Sequence, residues 1–167
     1  MISNEYKALL EQKQEEGNWG VRGDSRLGLI SDYLAGFKAK TVLDYGCGNG
    51  ALVAALRASY EAIGYDPGRP MFREVPKKPV DVVVCIDVLE HIEPEYLYDV
   101  LDHICSLAKK GIYLLIDTKK AGAILPDGRN AHLIIEGLEW WSARLEPFFP
   151  EHNIERTGKH LVVKWRR

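Results

Sequence analysis

The 167-residue chain has few cysteines, no long apolar run and no surplus of either charge. Cys47, Cys85 and Cys105 are an odd number and show no C-x-x-C spacing. They argue against a disulfide framework and against a cysteine-built zinc site, so no metal is expected. No stretch approaches the ~20 apolar residues that cross a bilayer. The charged opening MISNEYKALLEQKQEE does not read as a secretory leader. A cytoplasmic protein without membrane contact is expected. The net charge of −2, with both signs mixed along the chain, gives no electrostatic reason to bind nucleic acid. The short basic end, Lys164 to Arg167, reads as a solvated terminus. Repeats, low-complexity tracts and a second domain are also missing. An apolar fraction of 46% over this length fits one ordinary globular domain, residues 1–167.

What is present is concentrated in residues 41–50, Thr-Val-Leu-Asp-Tyr-Gly-Cys-Gly-Asn-Gly. Val42 and Leu43 read as the end of a buried strand. Gly46, Gly48 and Gly50 make a loop in which a ligand can lie against bare backbone, and Ala51–Ala58 reads as a helix. Strand, glycine loop and helix together form a nucleotide-binding turn, with unpaired N–H groups at the helix start. Gly46, Gly48 and Ala51 also satisfy the dinucleotide pattern G-x-G-x-x-G/A. Asp44 separates the two readings. An acid at the carboxyl edge of the strand repels a pyrophosphate and attracts a ligand that carries an ammonium and a sulfonium. The stretch Val42–Gly50 resembles the first motif of class I S-adenosylmethionine-dependent methyltransferases. The cofactor it implies is S-adenosylmethionine, held at Asp44, Gly46, Cys47, Gly48, Asn49 and Gly50.

Coarse periodicity organises the rest. Helices are expected at Asn4–Glu16, at about Ser25–Tyr33 with Asp24 or Ser25 as cap, at Pro94–Ala108 and at Leu138–Phe149. Strands are expected at Thr41–Tyr45, Ala62–Tyr65, Val80–Ile86 and Ile112–Ile116. A closing pair, Asn153–Arg156 and Leu161–Trp165, fits a hairpin. The fold class is α/β: a Rossmann-like, mostly parallel sheet with helices on both faces and a C-terminal antiparallel hairpin. Residues 1–36 are expected to form a helical lid or cap. Between Asp66 and Val80 only thirteen residues intervene, four of them proline. A class I methyltransferase usually places a helix and a third strand there, and proline suits neither. That unit is expected to be shortened, which removes the acid that usually meets the adenine amine.

Three further segments carry chemistry. Asp66 ends the second strand twenty residues after Gly46, where an acid accepts hydrogen bonds from ribose hydroxyls. Cys85–Glu95 contains Asp-Val-Leu-Glu-His-Ile, residues 87–92, and resembles the stretch after the fourth strand of many small-molecule methyltransferases. It puts Asp87, Glu90 and His91 at the open edge of the sheet, Asp87 toward the cofactor. The segment from Asp117 to Trp141 resembles the substrate-recognition insert of small bacterial and phage-type members. Asp127, Arg129 and Asn130 are its candidate acceptor-binding residues, with Trp19 of the N-terminal loop. Pro-Asp-Gly at 126–128 equally suits a β-turn in a solvated loop, with Trp141 in the core.

The position that would hold Asp/Asn-Pro-Pro-aromatic in amino-directed DNA methyltransferases holds Ile86-Asp87-Val88-Leu89. Cys85 sits inside a strand, where it is a small apolar residue and not a nucleophile. The expected activity is methyl transfer by direct displacement to an oxygen or nitrogen of a small-molecule partner, with His91 and His132 as candidate bases. Two other readings stand beside it: a nicotinamide-dependent oxidoreductase, and a non-catalytic protein that binds S-adenosylmethionine.

Overall fold

The computed structural model describes residues 2–15 and 26–167. Six strands form one sheet in the order β2-β1-β3-β4-β6-β5. These are β1 (Thr41–Tyr45), β2 (Glu61–Tyr65), β3 (Val80–Ile86), β4 (Ala108–Asp117), β5 (Asn153–Thr157) and β6 (His160–Arg166). The first four run parallel. Strand β6 lies antiparallel to β4 and closes a hairpin with β5.

Alternation along the strands assigns each apolar side chain to one of two layers. Leu43 and Tyr45 of β1, Val83 and Cys85 of β3, and Ile112, Leu114 and Ile116 of β4 pack with α4 (Leu97–Leu107) and α5 (Leu138–Leu145). Val42, Val82, Val84, Tyr113 and Leu115 point to the other face, against α2 (Leu27–Gly36) and α3 (Ala51–Leu56). Val80–Ile86 is buried along almost its whole length, as a β-branched run between two helical layers should be. Helix α1 (Asn4–Glu15) joins neither layer: Tyr6, Leu9 and Leu10 pack on Ala121, Ala123, Leu125, Ala131 and Leu133 of the loop after β4. Ser3 anchors its start. The Tyr6 N–H donates to Ser3 Oγ at 3.0 Å, and Ser3 donates through N and Oγ to the Glu93 carboxylate at 2.8 and 2.7 Å.

Residues 67–79 contain no strand; their single regular feature is a 3₁₀ turn at Pro70–Phe72, so β2 ends the sheet. Several boundaries differ from the sequence expectation. Helix α2 starts at Leu27 and runs on to Gly36, while Asp24 and Ser25 lie outside the described residues. Pro94–Tyr96 forms a 3₁₀ turn before α4 begins. Strand β4 starts at Ala108, not Ile112, because Ala108 pairs with Val80 across an irregularity and Lys110 reaches Asp81 at 3.3 Å. Helix α5 ends at Leu145, and the Phe148 and Phe149 N–H groups both turn back to the Leu145 carbonyl. Pro150 disfavours helical geometry at the residue before it. Trp141 is fully buried.

Candidate active site

The carboxyl ends of β1, β3 and β4 converge on a cavity of about 520 Å³. Its floor is the glycine loop. Asp44, the penultimate residue of β1, is 4% exposed. Burial first, and the neighbouring charge of Asp66 second, raise its pKa to about 7. Asp66 lies just past β2. Its Oδ2 accepts the Gly48 N–H and its Oδ1 the Gly68 N–H, both at 2.9 Å, so this carboxylate clamps the glycine loop to the following turn. The Gly46 and Cys47 N–H groups both donate to the Tyr65 carbonyl. Gly46 adopts φ +83°, and a Cβ there would fall 2.3 Å from Val88 Cγ2, so only glycine lets the loop pass under Val88.

The opposite walls come from the segments after β3 and β4. Asp87 leaves β3 at φ +54°, a strained conformation for aspartate, and pairs with Arg26 at 2.7 Å. Glu90 is fully buried. Its Oε1 accepts the Asp117 N–H at 3.0 Å, and its backbone carbonyl accepts the N–H groups of Leu133 and Ile134. Burial pushes the Glu90 carboxyl up to about 8. His91 donates Nδ1–H to the Ala131 carbonyl at 2.7 Å. Burial draws its pKa down to about 4, so the ring is neutral at pH 7 and a weak base. His132 donates Nδ1–H to the Lys119 carbonyl, and its ring stands edge-on to His91 with centroids 4.7 Å apart. The turn of the β5–β6 hairpin brings in Lys159, paired with Asp117, and His160, 3.8 Å from Asp87 Oδ1.

Of the expected cofactor residues, Asp44, Gly46, Cys47, Gly48, Asp66 and Asp87 line this cavity. Asn49 and Gly50 do not. Asn49 Oδ1 accepts the Ala51 N–H at the start of α3, and Gly50 turns the chain beside Phe72. His91 and His132 both line the cavity. Asp127, Arg129 and Asn130 stand outside its walls, because each bonds within its own loop. Asp127 accepts from the Arg129 N–H and side chain, and the turn at 125–128 closes with Gly128 at φ +88°. Asn130 joins both backbone groups of Ala121 to the His132 N–H. Trp19 lies outside the described residues. The sequence reading missed Arg26, Lys159 and His160. The antiparallel hairpin after β4 was the available signal for the last two, since its turn must return to the ligand edge.

The donor set of the floor fits a cationic nucleoside. Two adjacent buried acids would gain from a positive ligand, and Gly46 and Gly48 leave backbone bare beside them. Comparison with known proteins agrees. A family profile described as a methyltransferase domain matches residues 23–160. No curated protein matches the chain in sequence. Among solved structures, 1,6-didemethyltoxoflavin-N1-methyltransferase from Burkholderia thailandensis, with its acceptor and S-adenosylhomocysteine bound, aligns at TM-score 0.69 and 15% identity, over 100% of this chain and 91% of that one. Magnesium protoporphyrin IX methyltransferase from Synechocystis PCC 6803, with bound S-adenosylhomocysteine, aligns at 0.60 and 19%, over 86% of this chain and 83% of its own. An O-methyltransferase family protein from B. thailandensis aligns at 0.60 and 16%; the match takes in 87% of this chain but only 58% of that longer protein. Sheet order, glycine loop and profile coincide, and the chain belongs to the methyltransferase-domain family of class I S-adenosylmethionine-dependent enzymes.

Proposed function

We propose that this methyltransferase acts on an oxygen or nitrogen atom of a small-molecule acceptor. The observation that carries the reading is that one cavity is walled both by the Asp44–Asp66 acid pair and by the Glu90–His91–His132 cluster. When bound, S-adenosylmethionine supplies an electrophilic methyl group on a sulfonium. Asp44 would face the positive end of that ligand, and Asp66, at the end of β2, would accept hydrogen bonds from its ribose hydroxyls. Gly46, Cys47 and Gly48 offer backbone at close range. Asp87, fixed by Arg26, holds the edge of the β3 segment.

The acceptor lies against the histidines. His132 is the candidate proton acceptor, at Nε2, because its Nδ1 proton is committed to Lys119. His91, drawn down to about 4, is better suited to orienting the acceptor than to holding its proton. Ile2 and helix α1 supply the cover: α1 and the loop after β4 pack on each other, and Ile2, Tyr6 and Leu10 line the cavity, whereas α2 belongs to the layer on the sheet. Such a cover excludes water and positions the reactants, which is most of what displacement from a sulfonium requires.

The test is a mass-spectrometric methylation screen over phenols, carboxylic acids, amines and N-heterocycles, after calorimetry with S-adenosylmethionine. On a responsive acceptor, H132A should lower turnover about 100-fold, the scale for losing a general base, while cofactor affinity stays within about twofold. Methylation of nucleic acid or protein, with every small molecule untouched, overturns the reading.

A further inference from the structure

We infer that Glu90, His91 and His132 form a binding site for a divalent first-row transition-metal ion on the acceptor side of the cavity. The inference rests on the acceptor placement proposed above. One donor atom from each residue lies within 4.8 Å of the other two. Ligands of a tetrahedral ion, each at ~2.1 Å, stand about 3.4 Å apart, so side-chain movements of about 1 Å close the set.

Three features make this more than a chance cluster. First, each imidazole gives its Nδ1 proton to a backbone carbonyl, Ala131 for His91 and Lys119 for His132. A carbonyl only accepts, so the lone pair of each ring is on Nε2. This is how proteins fix a histidine for metal binding. Second, Glu90 Oε2 is fully buried and meets no hydrogen-bond donor among the described residues, although Oε1 is satisfied by the Asp117 amide. A buried carboxyl oxygen left without a partner beside two imidazoles is costly unless a positive partner arrives. Third, the scaffold holds all three in place. The Glu90 carbonyl ties down Leu133 and Ile134, and Asn130 fixes the His132 amide, so the β3 and β4 loops are locked together at the cluster.

Two imidazoles and one carboxylate suit Zn²⁺, Co²⁺, Mn²⁺ or Fe²⁺ better than Mg²⁺ or Ca²⁺, which prefer oxygen. Three protein ligands leave coordination positions open, and here they open onto the acceptor space. The acceptor class this selects carries a hydroxyl, carboxylate or heteroaromatic nitrogen able to bind the ion. With the ion bound, His132 Nε2 is a ligand, and the proton-accepting role given to it above belongs to the metal-free protein.

The probe is Co²⁺ added to chelator-stripped protein, followed by visible absorption and calorimetry, with S-adenosylmethionine titrated in parallel. The expected result is one Co²⁺ per chain, with affinity reduced at least about tenfold in E90Q and H132A. Cofactor binding should stay unchanged in both variants. E90Q keeps the acceptor for the Asp117 amide, so loss of metal in that variant is not loss of fold. Absent Co²⁺ binding, or equal binding in wild type and both variants, overturns the metal site. If cofactor binding is intact in that case, the methyltransferase reading stands. Loss of cofactor binding in the wild-type protein would instead strike the proposed site as a whole.

Discussion

Replacing Asp44 by asparagine should make the protein more stable and a poorer binder of its cofactor, both in a pH-dependent way. The Asp44 carboxyl is raised from 3.8 to about 7, first by burial and second by Asp66. A raised pKa in the folded state means that the native protein holds a proton that the unfolded chain releases near pH 4. The stabilisation is complete below that pH and is lost as the pH rises through 7. A shift of roughly three pH units, at 1.36 kcal/mol each, corresponds to about 4 kcal/mol by pH 8. Asp44 is buried, so solvent screening takes little from this figure. Because D44N does not titrate, its stability relative to wild type should climb by up to about 4 kcal/mol between pH 4 and 8. Urea unfolding at four pH values measures this. The same ionisation serves binding. Between pH 6 and 8 the ionised fraction of Asp44 rises from about a tenth to about nine tenths, so the ratio of wild-type to D44N affinity for S-adenosylmethionine should grow about tenfold. Stability curves that run parallel, together with a constant affinity ratio, would refute the reasoning.

Three further outcomes are expected. D66A removes the clamp on Gly48 and Gly68 and should weaken cofactor binding by about 1–3 kcal/mol, measured by calorimetry on protein shown to be folded by circular dichroism. G46A should lower the melting temperature through its clash with Val88, and the double variant G46A/V88A should recover part of the loss; additive losses would count against the contact. N130A breaks three hydrogen bonds of the loop and should raise the acceptor KM, whereas D127A, which removes an exposed ion pair and one local bond from the Arg129 N–H, should leave both KM and melting temperature nearly unchanged.

Much of the layout was readable because long-range and local signals agree. The run Val80–Ile86 is apolar on both faces and so is its strand, and Gly46 and Gly48 are positions where the backbone adopts positive φ. The proline-rich segment after Asp66 also read correctly as the place where a strand is missing. The polar loop after β4 was harder. Asp127 and Asn130 look like recognition residues in sequence, but each accepts an N–H two residues onward, a local bond that competes with facing a ligand. His132 escapes that competition and reaches the cavity. Glu90 was legible as an edge residue, but its depth was not, because burial there depends on residues 117 and 133–134 folding over it.

The short segment between Asp66 and Val80 also bears on how the protein behaves in concentrated solution. With β2 at the border of the sheet, one side of a five-residue strand has no neighbouring strand among the described residues to meet its backbone donors and acceptors. Such a border is a template for pairing with another extended segment, and Ile63, 47% exposed, adds an apolar foothold. The strand's brevity and Glu61 at its start limit that tendency. Exchanging Ile63 for lysine should therefore slow self-association at high concentration, because it places a charge where a second chain would have to dock.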